Sequence, residues 1–158
     1  MLGSDLVGLK YDPLFDFFAH MSSRPAVFTV LGDSYVADGA GTGVVHQSPF
    51  YGVDDYRVAV ENGIFTKSEN VKAPIDDSGC FTHEIPKYEG QYFKDADKAI
   101  IKDLKEAKRL ISISSENHAY PFCWRSNTPL MYKTVSSWFI NVESIVKNLV
   151  AANQDVNW

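Results

Sequence analysis

The sequence predicts a single domain of the α+β class. Its 158 residues fit one domain, and 45% hydrophobic with 22% charged residues is an ordinary globular composition. Apolar residues recur at helical spacing in some segments and form short β-type runs in others. Because these segments follow no regular strand–helix–strand order, a parallel doubly wound sheet is not expected and an α+β arrangement is favoured.

Four segments carry helical signals. The first begins at an aspartate–proline pair, and the second precedes a glycine that can close a helix. The third is the clearest, since an apolar residue recurs every three or four positions along one face. The predicted helices are residues 13–21, 54–62, 94–111 and 142–149.

Four other segments have the composition of β-strands. They are short and apolar, and turn-forming Gly, Pro, Asp or Ser residues stand near their ends. Residues 64–91, with several prolines and glycines, predict loops and short strands. The predicted strands are residues 26–31, 34–37, 43–47 and 132–140.

Charge and cysteine content restrict the class of protein. The net charge of −5 makes strong whole-surface attraction to nucleic acid unexpected, although a local basic patch is compatible with it. Two cysteines cannot form a disulfide framework, which favours a reducing compartment. The first residues lack the pattern of a signal peptide, and no apolar run approaches membrane-spanning length. We therefore expect a soluble cytoplasmic domain with no membrane partner.

The richest stretch for chemistry runs from Gly41 to Tyr56. Its glycines let the backbone lie close to a bulky ligand. His46 ends a predicted strand and Asp55 opens a predicted helix, so the two side chains can converge on one cleft. Two structural alternatives stay open: the aspartates cap the helix and favour its dipole, and the histidine has only a packing role.

This stretch resembles a signature of the editing domain of isoleucyl-tRNA synthetases, G-T-G-x-V-H-x-x-P-x-x-G-x-D-D-Y. The resemblance covers nearly the whole chain in order and is nearest to the eukaryotic cytosolic branch. His46 favours the isoleucyl family, because valyl relatives tend to have lysine there and leucyl relatives methionine. Further matching segments are residues 8–16, 76–82, 90–97, 118–130 and 137–139.

The resemblance implies a mixed β-sheet or barrel-like editing domain with flanking helices, spanning residues 1–158 as one fragment. The implied reaction is hydrolysis of the ester in misacylated Val-tRNA(Ile), with valine, the tRNA and the remainder of the synthetase as partners. The parent enzyme joins isoleucine to its tRNA using ATP. Editing needs no cofactor, whereas ATP and Mg belong to the parent's synthetic site, whose His-x-Gly-His signature does not occur in this chain.

The resemblance also implies roles for single residues. Asp55 grips the α-ammonium of the misattached amino acid, and His46 lines the side-chain pocket, where it helps to exclude isoleucine. These two are the candidate catalytic residues, although the group that activates water is not assigned. The remaining candidate substrate-binding residues, which let the terminal adenosine and a water approach the backbone, are Gly41, Thr42 and Gly43.

One departure from the family concerns the opposite wall of the pocket. The family builds that wall from a threonine-rich segment of the type W-T-T-T-P-W-T-L-P. This chain has six threonines, and no two are adjacent. We therefore expect the larger C-terminal part of an editing domain without that segment. The alternative is a catalytically incomplete fragment that only folds and weakly contacts tRNA or amino acid.

Two further patterns carry weaker predictions. Five basic residues share one stripe of the third predicted helix and are candidate tRNA contacts, with a solvated surface as the alternative. No metal is expected, because the spacing of the cysteines and histidines matches no known zinc knuckle. The basic residues are Lys94, Lys98, Lys102, Lys105 and Arg109.

Overall fold

Three α-helices and four short 3-10 helices make up the regular structure of the residues that the computed structural model of the chain describes. It describes residues 2–37, 42–69, 72–115 and 117–157. Within these ranges no α-helix packs on another; turns and irregular segments surround them. The α-helices are α1 (Val53–Glu61), α2 (Asp97–Glu106) and α3 (Val146–Gln154). The 3-10 helices are Gly3–Leu6, Ala19–Ser23, Pro86–Tyr88 and Val142–Ile145.

The predicted α+β fold with a mixed sheet or barrel is wrong for the described residues, because none of them lies in a β-strand. Only isolated antiparallel bridges occur within the described ranges. A strand persists only where a neighbouring segment supplies matching N–H and C=O groups. The predicted strands do not pair with one another through such hydrogen bonds in the described ranges. The bridges are Lys10–Thr29, Ile75–Phe81, Cys80–Tyr92 and Phe122–Pro129.

Residues 132–140 show why the strand prediction fails. The N–H of Thr134 donates to the carbonyl of Phe50 (2.9 Å) and ties this segment to the loop before α1. The Lys133 ammonium adds an ion pair with Asp77 at 2.8 Å. Trp138 is fully exposed. The segment has the composition of a strand, but no described residue lies in a strand that could pair with it.

Two helix predictions are confirmed. α1 ends as expected at Gly63, which has a φ of +73° and donates its N–H to Val60 (3.1 Å). The next N–H, from Ile64, returns to the carbonyl of Ala59 (2.8 Å) and completes a Schellman-type end. The C-terminal helix also forms, with its first turn as the 3-10 helix Val142–Ile145.

The other two helix predictions are too long. α2 ends early because Lys108 adopts a left-handed conformation (φ +57°), and the N–H of Arg109 closes back on Leu104 (2.9 Å). The predicted helix over 13–21 forms only the 3-10 turn Ala19–Ser23. Sequence spacing placed Ile100 and Leu104 correctly on the inner face of α2, but it could not locate these ends, and Ile111 of the predicted face is fully exposed.

The core is small, and its buried residues run along the chain from Val58 in α1 to Ala96, just before α2. Tyr88 is its aromatic centre, with the rings of Phe15, Phe17 and Phe81 at 6.3, 6.1 and 6.1 Å. Among the described residues, none C-terminal to Ala96 is buried. The buried apolar residues are Val58, Ala59, Phe65, Ala73, Ile75, Ile85, Tyr88 and Ala96.

The accessible surface of the chain is large for its mass. It measures 12814 Å² for 17.7 kDa, whereas a compact monomer of that mass exposes about 7,900 Å². Most of the large apolar residues that are exposed lie in the C-terminal third. That surface is available for further contacts.

Candidate functional site

The start of α1 and the loop before it form the candidate site. Asp55 lies in the first turn of α1, where its half-buried carboxylate folds back toward the loop. Oδ2 accepts the backbone N–H of Ser48 at 3.0 Å, and Oδ1 lies 3.4 Å from the Tyr35 hydroxyl. A Cβ on Gly52 would stand 2.6 Å from Oδ2, so the close approach needs glycine there. Neither first-turn aspartate caps the helix with its side chain; both retain a favourable position for its dipole.

Both the side chain and the backbone of Tyr35 are hydrogen-bonded. Its hydroxyl accepts a hydrogen bond from Nε2 of Gln47 at 3.0 Å. Its backbone N–H donates to Oδ1 of Asp33 at 3.1 Å. The Tyr35 hydroxyl therefore reaches the Asp55 carboxylate from a restrained position.

Arg57 supplies positive charge in this region, but carboxylates other than Asp55 bind its guanidinium. Its guanidinium makes two hydrogen bonds to Asp33, at 3.0 and 2.9 Å, and contacts Glu61 at 3.0 Å and Asp54 at 3.4 Å. This contact lowers the pKa of Asp33, and Asp33 raises the pKa of Arg57. Asp55 forms no ion pair with any described residue. Its charge is oriented by neutral donors alone, which suits a carboxylate that receives a cationic group from outside.

The other candidate site residues are more loosely held. His46 is exposed, and its imidazole makes no hydrogen bond or ion pair with Asp55 or another residue in the described ranges. Thr42 makes local hydrogen bonds to Val44 at 3.2 and 3.3 Å. Gly43 has a φ of +72° and faces open space. Gly41 lies outside the described residues.

Two surface cavities lie away from these residues. One, of about 400 Å³, is lined around Lys10, Tyr11 and Phe28. The other, of about 240 Å³, is lined around Phe50 and Phe65. Neither has His46 or Asp55 in its lining. The candidate site therefore belongs to neither of these two cavities.

The predicted basic stripe is shorter than the sequence suggested. Lys94 precedes α2 and lies 4.2 Å from the centre of the Tyr120 ring, and Arg109 follows the helix and donates to the carbonyl of Pro13 at 2.8 Å. Lys102 lies 3.8 Å from Glu106. Only Lys98, Lys102 and Lys105 remain on α2 itself.

No cluster of three or more His, Cys, Asp or Glu side chains suited to a metal ion occurs in the described part of the chain. Ser126 stands three residues after Cys123, at the position of the second cysteine in a Cys-x-x-Cys pair. Its hydroxyl and backbone lower the pKa of Cys123. Ser126 is thus a hydrogen-bonding partner of Cys123.

Sequence reasoning missed the residues that hold Asp55. Tyr35 is 20 residues away along the chain and carries no local signal of its role. Ser48 acts through its backbone, which sequence cannot reveal. Gly52 stands within the quoted signature, and a glycine just before a helix-start carboxylate is the one signal that could have been followed.

Comparison with known proteins matches this chain, over essentially its whole length, to isoleucine–tRNA ligases. The chain is 49% identical to the cytoplasmic isoleucine–tRNA ligase of Caenorhabditis elegans over 158 residues, 100% of this chain and 14% of that protein. It is 51% identical to the mouse cytoplasmic ligase over 156 residues (99% and 12%) and 45% identical to the yeast cytoplasmic ligase (99% and 14%). No family model matches. No described helix is long and apolar enough to cross a membrane.

Proposed function

Because the chain belongs to the isoleucine–tRNA ligase family, as a stretch about one-seventh the length of its relatives, we propose that it is part of an editing region. Its reaction is hydrolysis of the ester that joins valine to the isoleucine tRNA. The observation that carries this proposal is Asp55, a half-buried carboxylate held by neutral donors and paired with no described cation.

Such a reaction is needed because valine lacks only one methylene of isoleucine. One methylene gives a hydrophobic pocket about 1–3 kcal/mol, a general figure for which this pair of amino acids is itself the usual worked example. Translation needs greater discrimination than that. A second site that hydrolyses the valine ester and rejects the larger isoleucine supplies the difference.

Asp55 suits recognition of the α-ammonium of the esterified amino acid. A charge-assisted hydrogen bond between ammonium and carboxylate is short and about twice as strong as a neutral one. The Arg57 guanidinium would otherwise compete for Asp55, but it is engaged by Asp33, Asp54 and Glu61. Fixing the ammonium fixes the ester carbonyl beside it, and such positioning lowers the barrier to attack by water.

His46, Thr42 and Gly43 contribute the remaining contacts in this proposal. His46, two residues before Ser48, is exposed and can line the side-chain pocket. The open space at Gly43 lets the terminal adenosine approach the backbone. Water adds to the ester carbon, and the bond to the ribose oxygen breaks to give free valine and uncharged tRNA.

The test is deacylation of Val-tRNA(Ile) and Ile-tRNA(Ile) by the chain and two variants. Asp55→Ala is expected to abolish valine release, because the ammonium loses its partner. Asp54→Ala is the matched control: it removes the neighbouring, exposed carboxylate, which pairs with Arg57 at 3.4 Å, and we expect it to retain activity. Equal rates for Asp55→Ala and the unaltered chain would refute the assignment.

The chain's partners follow from the same proposal. The exposed apolar residues of the C-terminal third are covered by the remainder of a synthetase, and α2 contacts tRNA phosphates through Lys98, Lys102 and Lys105. Its location is then the cytoplasm, as in the names of its relatives.

A second candidate function is a catalytically incomplete segment with only weak contact to tRNA or amino acid. It is favoured by the threonine pattern, since no two of the six threonines are adjacent. Absence of valine release by the unaltered chain, with tRNA binding retained, would select this candidate.

A further inference from the structure

A set of side chains holds the Asp55 carboxylate in place, and we propose that Tyr35 is a positioning residue that orients it for the α-ammonium of the ester. The inference rests on the proposed function for the identity of the ligand. The arrangement itself depends only on this chain. We call it the Asp55 brace, formed by Asp33, Tyr35, Gln47, Ser48 and Arg57.

The hydrogen bonds of the Asp55 brace run in one direction. The side-chain amide of Gln47 donates to the Tyr35 oxygen at 3.0 Å. A phenol has a single proton, and with its oxygen already accepting, that proton is directed to the next acceptor. The next acceptor is Oδ1 of Asp55, at 3.4 Å. The hydroxyl therefore acts on the carboxylate as a donor.

The backbone of Tyr35 is tied to the same helix that carries Asp55. Asp33 accepts the N–H of Tyr35 at 3.1 Å, and Arg57 holds Asp33 through two hydrogen bonds of 2.9 and 3.0 Å. Arg57 lies two positions after Asp55 on α1. Through Asp33 and Arg57, the backbone of Tyr35 is thus attached to α1, the helix that carries Asp55. This attachment restrains the Tyr35 hydroxyl relative to the carboxylate.

The spacing within the Asp55 brace leaves capacity for a ligand. Oδ2 is engaged by Ser48 at 3.0 Å, a full hydrogen bond. The 3.4 Å from Oδ1 to Tyr35 exceeds the usual O–H···O length of about 2.7–2.8 Å. Oδ1 is therefore restrained without being saturated, and an ammonium can donate to it.

The first measurement compares Tyr35→Phe with Tyr56→Phe, a neighbour on α1 whose hydroxyl makes no hydrogen bond within the described ranges. Two esters are used on the isoleucine tRNA: valine, and its α-hydroxy analogue, which has no ammonium. For Tyr35→Phe we expect kcat/KM to fall about tenfold for valine, the size of one hydrogen bond to a charged group. The rate for the analogue stays unchanged, and Tyr56→Phe leaves both unchanged. Equal losses on both esters would mean a merely structural role and overturn the proposal.

The second measurement needs no activity. The amide resonance of Ser48 reports on Oδ2 of Asp55, so Tyr35→Phe should shift it, whereas Tyr56→Phe should not. On an Asp55→Asn background, Tyr35→Phe should add little further change, because the two act as a unit. Gly52→Ala, whose new Cβ displaces Oδ2, should shift the same resonance with the tyrosine intact.

The two proposals fail separately. If the unaltered chain releases no valine but Tyr35→Phe shifts the Ser48 resonance, the proposed function fails for this chain and the positioning by Tyr35 stands. An unmoved Ser48 resonance in Tyr35→Phe overturns the positioning, whatever the activity.

Discussion

At the scale of single residues, four carboxylates with cationic partners govern the response to acid. The pKa of Asp33 is lowered by the Arg57 guanidinium, that of Glu69 by Arg24, and that of Asp77 by Lys133. The pKa of Asp103 is lowered by Lys87 and by the hydroxyl of Tyr88. Each of these groups binds its proton more weakly in the folded chain than in the unfolded one.

This difference predicts a loss of stability on acidification. Unfolded carboxyl groups titrate near about pH 4, so the contribution is complete above that value. It disappears as the pH falls through the lowered folded pKa values, because the unfolded chain takes up more protons. Urea midpoints measured from pH 7 to pH 3 should be flat above about pH 5 and decline below about pH 4.

Asp33→Asn should weaken this acid dependence, because it removes the half-buried carboxyl group whose pKa is lowered by Arg57. Asp54→Asn, at an exposed site 3.4 Å from the same guanidinium, is the control and should leave the profile unchanged. A profile that stays flat down to pH 3 in the unaltered chain would contradict the prediction.

At the scale of elements, α2 has two distinct faces. Ile100 and Leu104 are half-buried on the inner side. Lys98, Lys102 and Lys105 lie within an arc of about 60° on the other, at 100° per residue. Lys94 and Arg109 are engaged outside the helix, so these three lysines are the part of the predicted stripe that remains on α2; Lys102 also pairs with Glu106 at 3.8 Å.

If the α2 lysines bind tRNA phosphates, neutralising two of them should flatten the salt dependence of binding. Lys98→Gln with Lys105→Gln should lower the slope of log K against log salt by about 2, one for each phosphate that no longer has a lysine partner. Lys67→Gln with Lys147→Gln gives the same change in net charge elsewhere, and its slope should not move. Equal slopes in the two double variants would leave the α2 lysines as a solvated surface.

At the scale of the whole molecule, the described chain is unevenly covered. Its buried residues all lie between Val58 and Ala96. The surface exceeds that of a compact monomer of its mass by about 4,900 Å², more than two standard protein interfaces bury. The C-terminal third therefore has apolar area without an intramolecular partner among the described residues.

This predicts tryptophans that are open to solvent. Trp124 is 86% exposed and Trp138 103%, so iodide should quench their fluorescence nearly as well as that of a free indole. A Trp158→Phe background removes the signal of the tryptophan outside the described residues. Strong protection from quenching at low micromolar concentration would show instead that this surface is covered in the isolated chain. Under the proposed function, the same tryptophans become protected when the remainder of a synthetase is present.

The family and the positions of α1 and the C-terminal helix could be predicted from the sequence, because motif order and helix ends are local properties. Gly63, for example, closes α1 through its own conformational freedom. The absence of strand pairing among the described residues emerges only on folding, since pairing depends on a second segment arriving with matching groups. The identity of the groups that hydrogen-bond to Asp55 also depends on the tertiary structure. Tyr35, a distant residue, and the backbone of Ser48 meet the carboxylate only once the chain has folded.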